Sequence, residues 1–108
     1  MANLPGPKFA VSVSPRALDE IEETRLYIAI DSPANADLVL ARIERVIDGL
    51  ECLPRRYPVA PEAERYRREL RHVVVSSFRV MYEVRELEVR VHFVRHGSRQ
   101  PPEDLVWE

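Results

Sequence analysis

The sequence has little of several residue types that mark common classes of small protein. It contains one cysteine, Cys52, among 108 residues, which excludes a disulfide framework and a multi-cysteine zinc site. Cys52 falls in the apolar pattern at the end of a predicted helix, which favours a buried structural thiol. No apolar run approaches the ~18 residues that a membrane span requires, and residues 1–10 show no signal-peptide core. We therefore expect a cytoplasmic protein.

Motifs of common catalytic sites are also missing. The three glycines are scattered, so there is no phosphate-binding loop, and the sequence has neither an HExxH motif nor a nucleophile-elbow serine. The three histidines, His72, His92 and His96, have no obvious set of carboxylate partners for zinc. We expect neither a metal ion nor a cofactor.

Lysine is nearly absent, and the basic charge comes from arginines in one part of the chain. Lys8 is the single lysine, and the formal net charge of −2 argues against a general nucleic-acid binder. Residues 54–99 carry eleven arginines and six glutamates, net +5, whereas residues 1–53 carry −4 and residues 100–108 carry −3. This distribution indicates a basic surface for an anionic partner, with a solvated charged face as the plain alternative.

The length and the 45% apolar composition are typical of one globular domain, with its core at about residues 8–100 and a tail at 101–108. Two Ser-Pro pairs, at 14–15 and 32–33, are start signals for two helices. The first is expected to run to about Ile30, and Leu53-Pro54 is expected to end the second. Apolar spacing predicts the buried stripe of each helix. In the first helix the stripe comprises Ala17, Leu18, Ile21, Thr24, Tyr27 and Ile28, and in the second Ala36, Val39, Leu40, Ile43, Val46, Ile47 and Leu50.

Alternating apolar residues predict four strands around these helices. One strand lies at residues 8–14, and residues 70–75, 78–84 and 89–94 predict an antiparallel meander with two short turns. The fold class is therefore α+β with the order β-α-α-β-β-β. We expect the helical hairpin to pack on one face of a small antiparallel sheet.

The opposite face of this sheet is predicted to be polar. A face this polar is not expected to be packed by the chain itself, so we expect it to be open to a ligand or partner. Its members are alternate strand residues, namely Arg71, Arg79, Met81, Arg90 and His92.

A possible phosphodiester site lies among the arginines near the strand ends. Adjacent strands are ~4.8 Å apart, so Arg79 on the middle strand is expected to approach Arg71 or His96. Guanidinium groups bind phosphate and imidazole transfers protons near neutral pH. The structural alternatives are an ion pair of Arg79 with Glu83 or Glu69, and a strand-end histidine that hydrogen-bonds the following turn.

Further residues are candidates for binding RNA or a protein target. Trp107 is an aromatic anchor of the kind found at interfaces, although covering the domain's own core is the alternative for it. The candidate binding residues are Trp107 in the tail and four arginines, Arg68, Arg71, Arg95 and Arg99, from a wider cluster that also contains Arg65 and Arg67.

A set of short stretches, spread from about residue 9 to residue 101, carries a resemblance to a known family. The stretches are Ser14-Pro15-Arg16-Ala17 with Leu18 and Ile21, Tyr27-Ile28-Ala29, Asp31-Ser32-Pro33, Ala36 and Ile43, Leu53-Pro54, Arg68-Glu69-Leu70, residues 78–84 and residues 94–99. In this order they resemble the RelE/ParE superfamily of toxins from type II toxin–antitoxin systems, and the likeness is closer to ParE-like members.

The resemblance implies a growth-inhibiting toxin that a cognate antitoxin neutralises, with contact to operator DNA only through the antitoxin. ParE-like members inhibit DNA gyrase, whereas RelE-like members cleave mRNA on the ribosome. The long helical hairpin, the mild net charge and the absence of lysine beyond Lys8 or of tyrosine after Tyr82 favour gyrase inhibition. The alternative is a ribosome-dependent mRNA endoribonuclease, and in that case Arg79 and His96 are the expected catalytic residues.

Overall fold

The computed structural model describes residues 6–107, in which two long helices pack on one face of a four-stranded sheet. The predicted α+β class and the order β-α-α-β-β-β are confirmed. Within residues 6–107 no helix is long and apolar enough to cross a membrane. The elements are β1 (Ala10–Val13), α1 (Pro15–Asp31), α2 (Pro33–Gly49), a 3-10 turn (Pro54–Arg56), the single-turn α3 (Ala63–Tyr66), β2 (Leu70–Val75), β3 (Phe78–Arg85) and β4 (Glu88–His96).

Serine caps set the starts of both long helices. The hydroxyls of Ser14 and Ser32 accept hydrogen bonds, at 3.0 and 3.1 Å, from the backbone N–H three residues later. Pro15 and Pro33 follow, at the position where a missing N–H costs nothing. Because Ser32 is both the C-cap of α1 and the N-cap of α2, the chain reverses within one residue and forms a helical hairpin.

The strand order is β1-β4-β3-β2, and the sheet is mixed. The meander is antiparallel as predicted, but β1 pairs parallel with β4, so the expectation of a wholly antiparallel sheet is corrected. The reason is the number of reversals. The strand β2 runs in the direction of β1, and the two tight turns of the meander return β4 to that same direction before it pairs with β1.

The apolar core lies between the helices and the sheet, and α2 supplies its predicted stripe. The prediction for α1 was partly wrong. Its buried residues are Ala17, Glu20 and Thr24, whereas Leu18 and Tyr27 are 57% and 67% exposed. Glu20 takes a core position because β4 provides donors for its carboxylate, which lets a charged side chain be buried.

The other side of the sheet, called here the outer face, is covered by the chain itself, so the prediction of an open polar face was wrong. The loop before β2 and the C-terminal tail pack over it. Arg71 is also misplaced in that prediction, because it lies opposite Tyr82, which points to the helices. The buried cluster of the outer face comprises Ala60, Ala63, Leu70, Met81, Phe93 and Leu105, with Tyr66 against it.

Cys52 lies beyond α2 and is partly exposed, so the prediction of a buried thiol is corrected. The helix ends at Gly49, and Leu50 takes the last buried position, with 0% exposure. The chain then turns away from the core before Cys52, which is a free cysteine.

Candidate functional site

Arg79 is held on the outer face by a two-point ion pair with Glu62. Its Nη1 and Nη2 atoms each donate to a Glu62 oxygen at 2.7 Å, and its Nε donates to His72 Nδ1 at 3.1 Å. The hydrogen bonds from Arg79 hold the pKa of Glu62 below its usual range. Burial lowers the pKa of His72, which suits a neutral ring that accepts from Arg79. The guanidinium of Arg79 is therefore fully engaged within the chain.

The predicted meeting of Arg79 with His96 or Arg71 does not occur. His96 lies opposite Phe78 and Arg71 lies opposite Tyr82, and both of those aromatic residues point to the helices. Side chains alternate between the faces of a sheet, so Arg79, next to Phe78 in the same strand, points to the outer face. Arg79 and His96 therefore lie on opposite faces and do not line one cleft.

His96 ends β4 and hydrogen-bonds the turn that follows it. Its Nδ1 lies 2.7 Å from Ser98 Oγ and accepts from the Ser98 N–H at 3.2 Å. The ring also packs edge-on against Phe78, with 5.6 Å between the centroids. This arrangement is the structural alternative that the sequence left open for His96.

An open groove lies beside His96, between α1 and the end of β4. Its volume is about 430 Å³, and a neighbouring hollow of about 270 Å³ shares Tyr27, Phe78 and His96 and extends to the α1–α2 turn. We call the two together the aromatic groove. Tyr27 is 67% exposed, so an aromatic surface is available at this end of the molecule.

The buried carboxylate of Glu20 closes the inner wall of the aromatic groove. It accepts from the Val94 N–H at 3.1 Å and from Arg95 Nε at 2.5 Å. Arg99 lies 3.8 Å from the same carboxylate and keeps 55% of its side chain exposed. Of these two arginines, Arg95 is committed to Glu20, and Arg99 presents a cation to solvent.

A second buried carboxylate, Glu83, organises the opposite end of the outer face. It is 1% exposed and accepts from Arg68 Nε at 2.9 Å and from Arg85 Nε at 2.8 Å, while His92 Nε2 lies 2.7 Å away. Burial alone would raise the pKa of Glu83, but these hydrogen bonds outweigh it and hold the pKa below its usual range. Burial lowers the pKa of His92, so a neutral ring donates to Glu83.

The C-terminal tail lies over the Glu83 network. Arg68 donates from Nη1 to the Leu105 carbonyl. The Trp107 ring packs edge-on against His92 at 6.2 Å, and the Arg85 guanidinium lies 4.7 Å from the Trp107 centroid. Trp107 therefore covers the domain's own side chains, which is the alternative that the sequence analysis gave for it.

Arg71 is likewise committed to internal partners. Its Nη1 donates to the Tyr57 carbonyl at 2.7 Å, and its Nε donates to Glu69 at 3.0 Å. Glu69 also pairs with Arg55 at 2.8 Å, so Glu69 ties the loop after α2 to the start of β2. Among the arginines predicted to bind a partner, Arg99 is the one that lies mostly in solvent.

Sequence reasoning missed the glutamates that neutralise these arginines. Glu20 lies three residues after Ala17 and so falls on the buried stripe of α1, and Glu83 alternates with apolar residues in β3. These two positions in the sequence pattern could have indicated that Glu20 and Glu83 are buried. Glu62 lies in a loop and gave no such signal. In residues 6–107 no three His, Cys, Asp or Glu side chains are placed to hold a metal ion.

Comparisons with known proteins agree with this architecture. A sequence profile described as the ParE toxin of the type II toxin–antitoxin system parDE matches residues 11–101. A solved structure described as the chromosomal ParDE TA system from P. aeruginosa has a TM-score of 0.63 at 11% sequence identity, covering 82% of this chain and 96% of that chain. At that identity the likeness shows the fold. No match to a curated protein sequence was found.

Proposed function

Since the chain belongs to the ParE toxin family of type II toxin–antitoxin systems, we propose that it inhibits growth by binding DNA gyrase. In this proposal the chain catalyses no reaction, and a cognate antitoxin neutralises it by binding its helical hairpin. Gyrase is a cytoplasmic target, so the proposal places the chain in the cytoplasm.

The observation that most favours target binding over RNA cleavage is the separation of Arg79 from His96. General acid–base cleavage of a phosphodiester needs a proton-transfer group and a charge-stabilising group around the same atoms. Here Arg79 is neutralised by Glu62 on the outer face, and His96 bonds its own turn on the helix side. A protein target needs only an accessible surface, which the aromatic groove offers.

We place the target contact at the aromatic groove, with Arg99 as its exposed cation. Tyrosine and arginine are common anchors of protein interfaces, and Tyr27 and Arg99 are both mostly exposed. In this assignment Arg95 supports the groove through Glu20 rather than touching the target. Arg68, Arg71 and Trp107, which the sequence suggested as contacts, support the fold instead.

The antitoxin is proposed to cover exposed apolar side chains of the helical hairpin. Leu26 and Ile30 on α1 are 54% and 81% exposed, and Leu38 on α2 is 62% exposed. Leu26 and Ile30 are four residues apart and so lie on one side of the helix. An amphipathic segment of a partner can bury such a row. Exposed apolar surface of this kind marks protein interaction sites.

Two assays run side by side test the choice of target. Purified, antitoxin-free protein is added to gyrase and relaxed plasmid, and separately to translating ribosomes with a defined mRNA. The proposal predicts loss of supercoiling with intact mRNA. Ribosome-dependent mRNA cleavage with normal supercoiling would replace it by the endoribonuclease function, and His96→Ala would then be the first variant to measure.

Co-expression tests the antitoxin part of the proposal. The chain expressed alone is expected to stop growth, and expression together with the protein encoded beside it is expected to restore growth and yield a stable complex. Harmless expression of the folded chain alone would contradict a toxin function.

A further inference from the structure

A cavity of about 230 Å³ lies where the outer face meets the start of α1. It is separate from the aromatic groove, with which it shares no lining residue. We infer that this cavity binds one carboxylate side chain of a protein partner, between the guanidinium groups of Arg16 and Arg90. Its lining comprises Ser14, Pro15, Arg16, Arg90, His92 and Val106.

Arg90 carries a buried donor that lacks an acceptor. Its Nε has no hydrogen-bond partner within residues 6–107, although the atom is shielded from solvent. Arg90 lies opposite Glu83 in the sheet, but the Glu83 oxygens already accept from Arg68 and Arg85 and contact His92. A buried unsatisfied donor is costly. Because the side chain of Arg90 also lines the cavity, an oxyanion bound there would give its guanidinium group an acceptor that the fold does not provide.

Arg16 supplies the second positive charge of the cavity. It is exposed in the first turn of α1, and its Nη1 donates to the Asp104 carbonyl at 3.3 Å, a neutral acceptor that leaves its charge uncancelled. His92 adds no charge, because burial lowers its pKa. The hydroxyl of Ser14 is already engaged with the His92 carbonyl and the Ala17 N–H. The two guanidiniums are therefore the groups that attract a ligand.

The surroundings favour a single carboxylate over a polyanion. Nucleic acid is held by several cations that follow its phosphates, but the nearby Arg68 and Arg85 are paired with Glu83. Pro15 and the 56% exposed Val106 form an apolar rim. One acidic residue between apolar neighbours of a protein segment matches this pattern. The inference stands whether or not gyrase is the target.

The test follows the Arg90 Nε–H signal by NMR in the ¹⁵N-labelled chain. The probe is N-acetylglutamate N-methylamide, and the neutral glutamine analogue is its matched control. We expect a saturable shift of the Arg90 signal with the glutamate probe only. Arg16→Gln is expected to weaken that binding at least tenfold, whereas Arg42→Gln, at an exposed position of α2, is expected to leave it unchanged.

Several results would overturn the inference. They are the absence of a saturable shift, equal shifts with both probes, and wild-type affinity of the Arg16→Gln variant for the glutamate probe. This variant is expected to fold normally, because the Arg16 side chain is exposed. Tighter binding of inorganic phosphate or of a single-stranded oligonucleotide than of the glutamate probe would reassign the cavity to phosphate. The gyrase assay does not involve the glutamate probe. Normal supercoiling would therefore contradict the proposed gyrase inhibition without contradicting carboxylate binding in the cavity.

Discussion

The two faces of the sheet are both packed, but by different physical means. The helix side buries valines and aromatics such as Val80, Tyr82 and Val91, each with 0% exposure, so burial of apolar surface stabilises it. The outer face buries Met81 and Phe93 beside paired charges, of which Glu83 is the most enclosed. The comparison teaches that a polar face is not necessarily an open face when the chain supplies counter-charges and a loop or tail to cover it.

The largest expected effect comes from breaking the Glu83 network. Glu83→Gln leaves Arg68 without its charged partner inside the outer face, and removing one member of a buried ion pair costs about 3–5 kcal/mol. Urea unfolding of the variant measures this loss of stability. Glu88→Gln, at an exposed position of β4, is the matched control and is expected to unfold like the wild type. A loss below about 1 kcal/mol, the value of a surface ion pair, would contradict the account of the outer face.

A somewhat smaller effect is expected from the tail. Leu105 is 5% exposed in the outer-face cluster, whereas the adjacent Val106 is 56% exposed. Leu105→Ala removes buried methyl groups and is expected to cost about 2–3 kcal/mol, while Val106→Ala is expected to change the free energy of unfolding by less than about 0.5 kcal/mol. Equal results for the two variants would show that the tail does not close the outer face.

The pH dependence of stability separates the two faces further, with a smaller expected effect. Burial lowers the pKa of His92 and of His72 in the folded state, so the unfolded chain binds more protons as the pH falls below about 6.5. Stability is therefore fully present above that pH and declines toward pH 5. The lowered pKa values of Glu62 and Glu83 add a further loss below about pH 4.5.

Urea midpoints at pH 7.5 and pH 5.5 measure the histidine contribution. His92→Gln is expected to flatten the decline, and His96→Ala, which changes an exposed histidine, is expected to keep it. A stability that rises on acidification would contradict neutral histidines packed on the outer face.

The smallest effect on stability is expected on the hairpin surface. Ile30→Ser changes a side chain that is 81% exposed, so the free energy of unfolding should change by no more than about 0.5 kcal/mol. Its affinity for the antitoxin is nevertheless expected to fall at least tenfold, measured by calorimetry. Glu44→Gln, an exposed polar change on α2, serves as the control. If the Ile30→Ser variant bound the antitoxin with wild-type affinity, the antitoxin surface would have to lie elsewhere on the chain.

The sequence predicted the elements well because their signals are local. The caps at Ser14 and Ser32, the stripe of α2 and the two-residue turn at Ser76-Ser77 each depend on neighbouring residues. The parallel pairing of β1 with β4 could not be predicted, because nothing local to residues 10–13 fixes their sheet neighbour.

The candidate site was harder to predict than the fold. Which side chains meet in the site depends on the face of the sheet to which each one points. The alternation of β3 places Arg79 on the outer face, but the strand register that puts His96 opposite Phe78 is not encoded in either residue alone. The partners Glu62 and Glu20 lie 17 and 75 residues away from the arginines they bind, so arginines that looked available in the sequence are mostly paired in the fold.

The most direct test of binding without catalysis is a titration of gyrase with the antitoxin-free chain, with supercoiling and mRNA integrity on translating ribosomes measured at each ratio. The account predicts that inhibition of supercoiling rises with the molar amount of chain and is complete only when the chain at least equals gyrase, while the mRNA stays intact. Cleavage of a large excess of mRNA by a small amount of chain, with supercoiling unchanged, would contradict it.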